Sequence, residues 1–359
     1  MTYKPFQIGV RPDWLISDET THDVSLREVL ALLAAIDATG NIAGAGRECG
    51  LSYRHAWGIL RKFEAHFGVP LMITRRRQGT QLSPFAQRLV WANRRIEARL
   101  MPMLESMASE LQEELERLLS QNAEHVRLHA SHGFAVEALL RHMQGRTPGL
   151  ELRYRTAIEA LASLERHECD LAGFQVPLGD FQAPILRRYS PWLDAGAYRL
   201  IHLAVRSTGL FVEAGNPKAI QGMADLARND VRFVNRQIGS STRYLVGLML
   251  ERLGISIAQV QGYETSEFTH MAIAAHIASG MADTGIGVET AARRFGLDFI
   301  PMVQERYFFA VHCDTLETPA VQSLLQIMRS DNYREEVRQQ VGYDATETGM
   351  IQTLQEAFE

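Results

Sequence analysis

Through the first 120 residues apolar positions recur every three or four residues; beyond residue 125, short apolar runs alternate with such repeats. From Ser25, SLREVLALLAAIDATG places Val29, Leu33 and Ile36 at helical spacing and stops at Gly40. Asn41 is placed to cap a second helix, whose Ala43, Gly44, Ala45 and Gly46 allow close packing, and Gly50 permits a tight turn. Ser52 begins a third helix, SYRHAWGILRKFEAHFG. Its stripe of Ala56, Leu60, Phe63 and Phe67 leaves Ser52, Tyr53, Arg54, His55 and Arg61 on polar positions. Pro70–Thr74 and Thr80–Leu82 predict short strands joined by Arg75, Arg76, Arg77, Gln78 and Gly79. The helical pattern alone fits a small bundle with a solvated polar face equally well. An arginine-rich hairpin tip after two helices and a tight turn favours a winged helix-turn-helix, with polar residues opening the reading helix and arginines at the wing facing phosphates or a minor groove.

After Ser83-Pro84 a long helical pattern runs to about Leu119, with Ile96, Leu100, Met103, Met107, Leu111, Leu115 and Leu118 in one stripe. Such a stripe suits a dimer seam or packing within its own domain, and Pro102 predicts a kink or a division. From His125 the order is β-α-β-α-β: VRLHA, a helix through Phe134–Met143, LELRY, a helix from Ile158 to Arg166, then DLAGF. YRLIHLAV and GLFVEAG follow, and a second α/β stretch begins at VRFVNR. Two α/β lobes, with the chain recrossing near Glu305–Val311, predict a hinge and a cleft at the C-terminal strand ends. The tail after Thr318 reads as helical, placed to close the second lobe or to pack between subunits.

Charge sharpens this division. The chain of 359 residues carries a formal −5. Residues 27–99, however, hold twelve Lys/Arg against five Asp/Glu, while residues 121–359 hold 22 against 28. A basic block on an acidic chain predicts a polyanion-binding module fused to something else. Cys49, Cys169 and Cys313 lie far apart, arguing against a disulfide framework or a thiolate zinc site. No secretory signal pattern or membrane-length apolar run is present, so a cytoplasmic location is expected.

The richest chemistry lies in Val231–Tyr244. A strand ends at Asn235-Arg236, a glycine turn follows, and Ser240, Ser241 and Thr242 open a helix, with Arg243 beside them. Helix-start amides, hydroxyls and guanidinium groups converge there in a way that suits a small oxyanion; ordinary hydroxyl capping is the plainer explanation. Ser131 and His132 sit likewise between a strand and a helix start, so two helix N-termini, one per lobe, are expected to face each other. Thr269 could add a donor. Thr284–Glu289 superficially suggests a nucleotide loop but lacks the third glycine and a P-loop lysine; a sheet-to-helix turn lining the cleft is expected instead. His125, His129 and His132 have metal-like spacing but straddle a strand and a helix start, so no metal site is assigned. No triad or paired carboxylates support catalysis, and no enzyme is expected.

NIAGAGRECGLSYRHAWGILRKFEAHFGVPLM resembles the winged helix of molybdate-responsive repressors and, more distantly, of LysR-type regulators. Gly46 stands where that family usually has Ala, and the wing is nearer the LysR form. DLAGFQVP, GNPKAI, VRFVNRQIGSSTR, the EFTH to TGIGVETAA run and GLDFIPMVQERY together resemble a periplasmic-binding-protein-like domain similar to molybdate and tungstate solute-binding proteins. That resemblance implies ligand contacts from Ser131, Arg236, Ser241 and Thr242, with Gln175 replacing a histidine common in the family. The expected fold is an N-terminal winged helix-turn-helix (α with a β-wing), a long linker helix and a C-terminal two-lobed α/β periplasmic-binding-protein-like domain. The expected boundaries are an extension 1–24, a DNA-binding domain 25–84, a linker 85–120, a ligand domain 121–318 and C-terminal helices 319–359.

The implied function is a transcriptional regulator, a homodimer or homotetramer on a double-stranded DNA operator. It would sense molybdate or tungstate as its small anionic effector, without a cofactor or membrane partner, and control molybdenum- or tungsten-related genes. One alternative is a regulator of a molybdoenzyme operon, such as formate dehydrogenase, that senses formate or another small anion. A second is a solute-binding protein or enzyme with an incidental basic domain.

Overall fold

The computed structural model describes residues 6, 8–17, 23–75, 79–119, 125–146 and 148–358. They fall into two compact units, 11–98 and the remainder, 1–10 with 99–359. None of the described helices is long and apolar enough to cross a membrane.

The N-terminal unit opens with a hairpin, β1 (Leu15–Ile16) and β2 (Val24–Ser25), followed by α1 (Arg27–Thr39), α2 (Ile42–Glu48) and α3 (Tyr53–Phe67). Capping fixes these helices: the Asn41 side chain accepts from the Gly44 amide at 2.6 Å, and Ser52 Oγ accepts from the His55 amide at 3.2 Å. One core joins Val29, Leu33 and Ile36 of α1 with Ile42 and Ala45 of α2 and Ala56, Leu60 and Phe63 of α3. The wing is β3 (Met72–Arg75) paired antiparallel with β4 (Gly79–Leu82). Helix α4 (Pro84–Leu119) is one element with Pro102 inside it, so the expected division does not occur.

The C-terminal unit contains β5 (His125–Ala130), α5 (Phe134–Met143), β6 (Gly149–Tyr154), α6 (Ala157–Glu165), β7 (Leu171–Pro177), α7 (Gln182–Tyr189) and β8 (Tyr198–Val212). Then come β9 (Phe233–Arg236), α8 (Ser241–Arg252), β10 (Ser266–Glu267), α9 (His270–Ala278), β11 (Thr284–Val288), α10 (Glu289–Arg294) and β12 (Asp298–His312). The chain finishes with α11 (Cys313–Leu316), α12 (Pro319–Arg329), α13 (Asp331–Arg338), β13 (Tyr343–Asp344), β14 (Ile351–Gln352) and α14 (Leu354–Phe358). The strands lie in the order β10-β9-β11-β8-β12-β7-β5-β6, with β13 and β14 on β8. β5, β6 and β7 are parallel and form lobe I; β9, β10 and β11 are parallel and form lobe II.

Between the lobes run β8 and β12, antiparallel and 15 residues each. The two runs read from sequence as separate strands are therefore one strand, and the hinge is this pair of long strands rather than a recrossing at Glu305–Val311 alone. Its register sets Arg206 opposite Glu305. Both are buried; Arg206 Nε and Thr208 Oγ1 donate to Glu305 Oε2 at 3.1 and 2.8 Å. The C-terminal helices complete lobe I: Val321, Leu324 and Met328 of α12 and Tyr333 and Val337 of α13 pack with Leu128 and Leu139. The tail thus belongs to lobe I, not the second lobe.

Candidate functional site

In the N-terminal unit, α3 exposes Tyr53, Arg54 and His55 in its first turn, with Ser52 as cap. Burial of Ala56, Ile59, Leu60 and Phe63 turns these polar residues outward. Arg61 is exposed but tethered, 3.2 Å from Glu64 and with its guanidinium 5.1 Å from the Trp57 ring centre. Arg75 ends β3; Arg76 and Arg77 lie outside the described residues. Sequence reading left the N-terminal extension without a role. In the structure Asp13 and Asp23 border a shallow depression whose other side is Ser52, Arg54, His55 and Lys62.

In the C-terminal unit a cleft of about 640 Å³ brings together Ser131, His132, Gln175, Arg236, Ser240, Ser241, Thr242 and Thr269. Lobe II builds its floor. β9 and β10 are parallel neighbours, so the helices that follow them, α8 and α9, begin side by side with Ser240 and Thr269 as their caps. First-turn amides of a helix have no intrahelical acceptor and carry the positive end of its dipole, which suits an anion.

Arg236 ends β9 between them and is buried. Its Nη2 donates to the Phe268 carbonyl at 2.8 Å, its Nη1 lies 3.1 and 3.0 Å from the two ring nitrogens of His270, and its Nε has no partner among the described residues. Burial lowers the Arg236 pKa to about 10, with nearby Arg206 acting in the same direction and Glu305 against it. Burial, with Arg236, Arg206 and His132 adding to it, also holds His270 well below the ordinary histidine range. His270 is therefore neutral and can accept from Arg236. The carboxylates lining the cleft stand elsewhere: Glu159 is taken by the amide and hydroxyl of Thr156, and Glu110 is exposed on α4. A buried cation without a carboxylate partner is costly unless another anion supplies the charge.

Lobe I contributes Ser131, whose Oγ lies 3.1 Å from Tyr307 Oη and 3.4 Å from Gln175 Oε1. A Cβ on Gly173 would fall 2.7 Å from that tyrosine hydroxyl, so the glycine of DLAGF makes room for Tyr307. His132 is paired with Glu137, Nε2 to Oε1 at 2.8 Å. The facing helix start differs from the one expected. α5 is capped by Gly133, and its first-turn residues Phe134, Ala135 and Val136 are buried without lining the cleft. The lobe I helix start at the cleft is that of α6, through Thr156 and Ala157.

Arg243 does not line the cleft. Its guanidinium donates to Glu264 at 2.6 Å and to the Arg236 carbonyl at 3.3 Å and stacks on Tyr263, because helical rotation turns it away from Ser241 and Thr242. Thr284–Val288 is a buried strand, not a turn in the cleft. A Cβ on Gly287 would meet His270 Nδ1 at 2.8 Å, so that glycine serves packing behind the site. Thr156, Tyr189, His270 and Tyr307 were not expected at the site; Thr156 carried a signal as a helix cap with Glu159 three residues on, and His270 as the residue after the cap Thr269.

Residues 140–329 match the family described as PBP superfamily domain, and residues 28–87 match the bacterial regulatory helix-turn-helix protein, lysR family. The chain belongs to the PBP superfamily and carries a lysR-family helix-turn-helix. A lysR-family helix-turn-helix joined to a PBP-like domain is the domain make-up of a LysR-type transcriptional regulator. The regulator is similar to the uncharacterized protein YvgK of Bacillus subtilis, 32% identical over 221 residues, 60% of this chain and 70% of YvgK. It is also similar to the molybdenum-pterin-binding protein MopB of Rhodobacter capsulatus, 35% identical over 88 residues, 23% of this chain and 33% of MopB. Among solved structures, a cysteine mutant of Corynebacterium glutamicum OxyR aligns over 88% of this chain and 93% of its own, with 14% identity and a TM-score of 0.42.

Proposed function

We propose that the regulator senses a small, fully deprotonated oxyanion, molybdate or tungstate, and controls molybdenum- or tungsten-related genes from the cytoplasm. The observation carrying this reading is Arg236: a buried guanidinium at the cleft floor, between two helix N-termini, whose recorded partners are neutral. Around it Ser131, Ser240, Ser241, Thr242 and Thr269 offer hydroxyls or amides, and Gln175 and His132 complete the lobe I side. With no carboxylate hydrogen-bonded to Arg236 among the described residues, and Glu305 taken by Arg206 and Thr208, the floor favours an anion that carries no proton at neutral pH over hydrogen phosphate. The similarity to a molybdenum-pterin-binding protein adds support for molybdenum chemistry.

On the DNA side, Ser52, Tyr53, Arg54 and His55 open the reading helix, Arg61 follows on it, Arg75 ends the first wing strand, and Arg76 and Arg77, which follow it in sequence, add positive charge for the DNA backbone. A two-fold operator read by a dimer or tetramer gives the specificity that one such helix lacks. Titration calorimetry of the full chain with molybdate, tungstate, sulfate, phosphate and formate tests the effector. Binding of molybdate or tungstate at least about tenfold tighter than phosphate or formate is expected. Formate binding tightest would replace this reading with a molybdoenzyme-substrate sensor, and millimolar affinity throughout would remove the oxyanion.

A further inference from the structure

We infer that helix α4 straps the two lobes together and that the Arg99–Glu267 pair is the contact through which effector closure of the cleft reaches the DNA-binding unit. The inference rests on the reading that the cleft binds an effector, and it concerns how that site is coupled to output.

The C-terminal half of α4 touches both lobes. On lobe I, Ser106 Oγ accepts from the Tyr154 amide at 3.1 Å, Ser109 Oγ accepts from the Leu152 amide at 3.0 Å, and Tyr154 Oη donates to Glu105 at 3.1 Å. These hydroxyls, three residues apart on one helix face, satisfy amides of the edge strand β6. On lobe II, Arg99 makes a two-pronged pair with Glu267 of β10 through Nε and Nη2. β6 and β10 are the opposite ends of the strand order. α4 therefore joins the two lobes by a route separate from the β8–β12 hinge, and its Leu100, Met103 and Met107 line the cleft between the anchors.

A helix rises about 1.5 Å per residue, so the anchors at Arg99 and Ser106 stand about 10 Å apart along α4, with Pro102 between them. The lobes cannot rotate about the hinge without carrying this segment, bending it at Pro102 or releasing one end. The lobe I end combines two backbone hydrogen bonds with a side-chain one. The lobe II end is a single pair whose Arg99 is 42% exposed while Glu267 is fully buried. Glu267 also lies 3.0 Å from His276 Nδ1, so it keeps a partner when Arg99 leaves. Burial alone would raise its pKa, yet the hydrogen bonds from His276 and Arg99 hold it low, and it remains a carboxylate. The lobe II anchor is thus the end that yields. Because α4 is continuous from Pro84, movement of Arg99 is passed along the same helix toward the DNA-binding unit.

The test compares full-length wild type with Arg99→Ala and Glu267→Gln. Alanine suits a helix and Gln keeps the shape of Glu, and thermal melting confirms that each variant is folded. Affinity for the DNA upstream of the protein's own gene is measured with and without molybdate, and molybdate affinity by calorimetry. In Arg99→Ala, effector-free DNA affinity is expected to move to the molybdate-bound value of the wild type, the molybdate response to fall from about tenfold to below about twofold, and molybdate to bind about threefold tighter. Glu267→Gln shifts the same quantities in the same direction. Wild-type effector-free DNA affinity in both folded variants would overturn the strap. A wild type that ignores molybdate defeats the effector reading instead; the strap is then supported by any change in effector-free DNA affinity shared by the two folded variants and overturned when both keep the wild-type value.

Discussion

The hydroxyls of Tyr189 and Ser241 lie 2.7 Å apart, both buried, one on a helix packed against lobe I and the other opening α8 of lobe II. Tyr189 Oη also lies 3.3 Å from the Gln175 carbonyl, to which it can donate. Burial pushes the phenol well above its ordinary pKa, so it stays neutral. Tyr189 thus positions Ser241, while Ser241 is placed to meet the effector. Tyr189→Phe is expected to lower stability by about 1 kcal/mol and molybdate affinity only a few-fold, whereas Ser241→Ala lowers affinity about tenfold with little loss of stability. Melting curves and calorimetry separate the two, and the reverse ranking would show that Tyr189 itself contacts the ligand.

Arg236 makes a sharper case, because stability and binding should move in opposite directions. Methionine of similar length removes a buried charge that has no carboxylate partner, a change that is often neutral or stabilising by about 1–4 kcal/mol. Arg236→Met is therefore expected to melt no lower than wild type while losing about two orders of magnitude in molybdate affinity. A large fall in stability with binding retained would show that the guanidinium is structural.

His202 gives the fold a dependence on acid. It is fully buried on β8, neither ring nitrogen has a hydrogen-bond partner among the described residues, its Nε2 lies 3.7 Å from a Glu347 carboxylate oxygen, and it lies edge-on to Phe308. Burial, helped by nearby Arg306, lowers its pKa from 6.5 to about 4. The unfolded chain, with an ordinary histidine, binds the proton first, so stability is complete above about pH 6.5 and falls toward pH 4, by up to about 3 kcal/mol. Urea titrations at pH 7.0 and 4.5 should differ less in His202→Leu than in wild type; an unchanged difference would assign the slope to other groups.

Much of the architecture was legible because it follows from local rules. Asn41 and Ser52 announce their helices by side-chain chemistry, and the wing shows its turn residues. The cleft lining was legible where a residue caps a helix, as Ser240 does for α8 with Ser241 and Thr242 following it in the first turn. It was not legible where geometry depends on distant pairing. Arg243 neighbours Thr242 in sequence yet faces Glu264, because a 100° rotation per residue separates them on a helix. Thr156 reaches the cleft, and Tyr307 reaches Ser131 behind it, only through strand order, which periodicity does not encode. The partner of Arg99 lies 168 residues away, beyond any local signal.

The apolar stripe of α4 stands exposed at Met103, Met107, Leu111, Leu115 and Leu118. Met103 and Met107 line the cleft, and the rest of the row, Leu111, Leu115 and Leu118, has the spacing expected of a self-association surface. Leu111→Glu is expected to shift sedimentation equilibrium toward monomer and to weaken operator binding, leaving calorimetric molybdate affinity within about twofold, since Leu111 is outside the cleft lining. An unchanged molecular mass would assign the subunit contact to another face.

Arg54 and Arg61 stand in different surroundings on α3, and the DNA-binding proposal gives them different expected roles. Arg54 is exposed in the first turn of α3, the part of a reading helix that meets base edges. Arg61, two turns on, is held by Glu64 and Trp57, a tether suited to a fixed backbone contact rather than to base reading. Arg54→Ala is expected to cost about 1–3 kcal/mol on the operator and much less on random DNA, narrowing the specificity ratio. Arg61→Ala should weaken both about equally and reduce the slope of log affinity against log salt by about one. Gel-shift titrations at several salt concentrations measure both quantities. Equal losses on operator and random DNA for Arg54→Ala would remove it from base reading and leave specificity to Ser52, Tyr53 and His55.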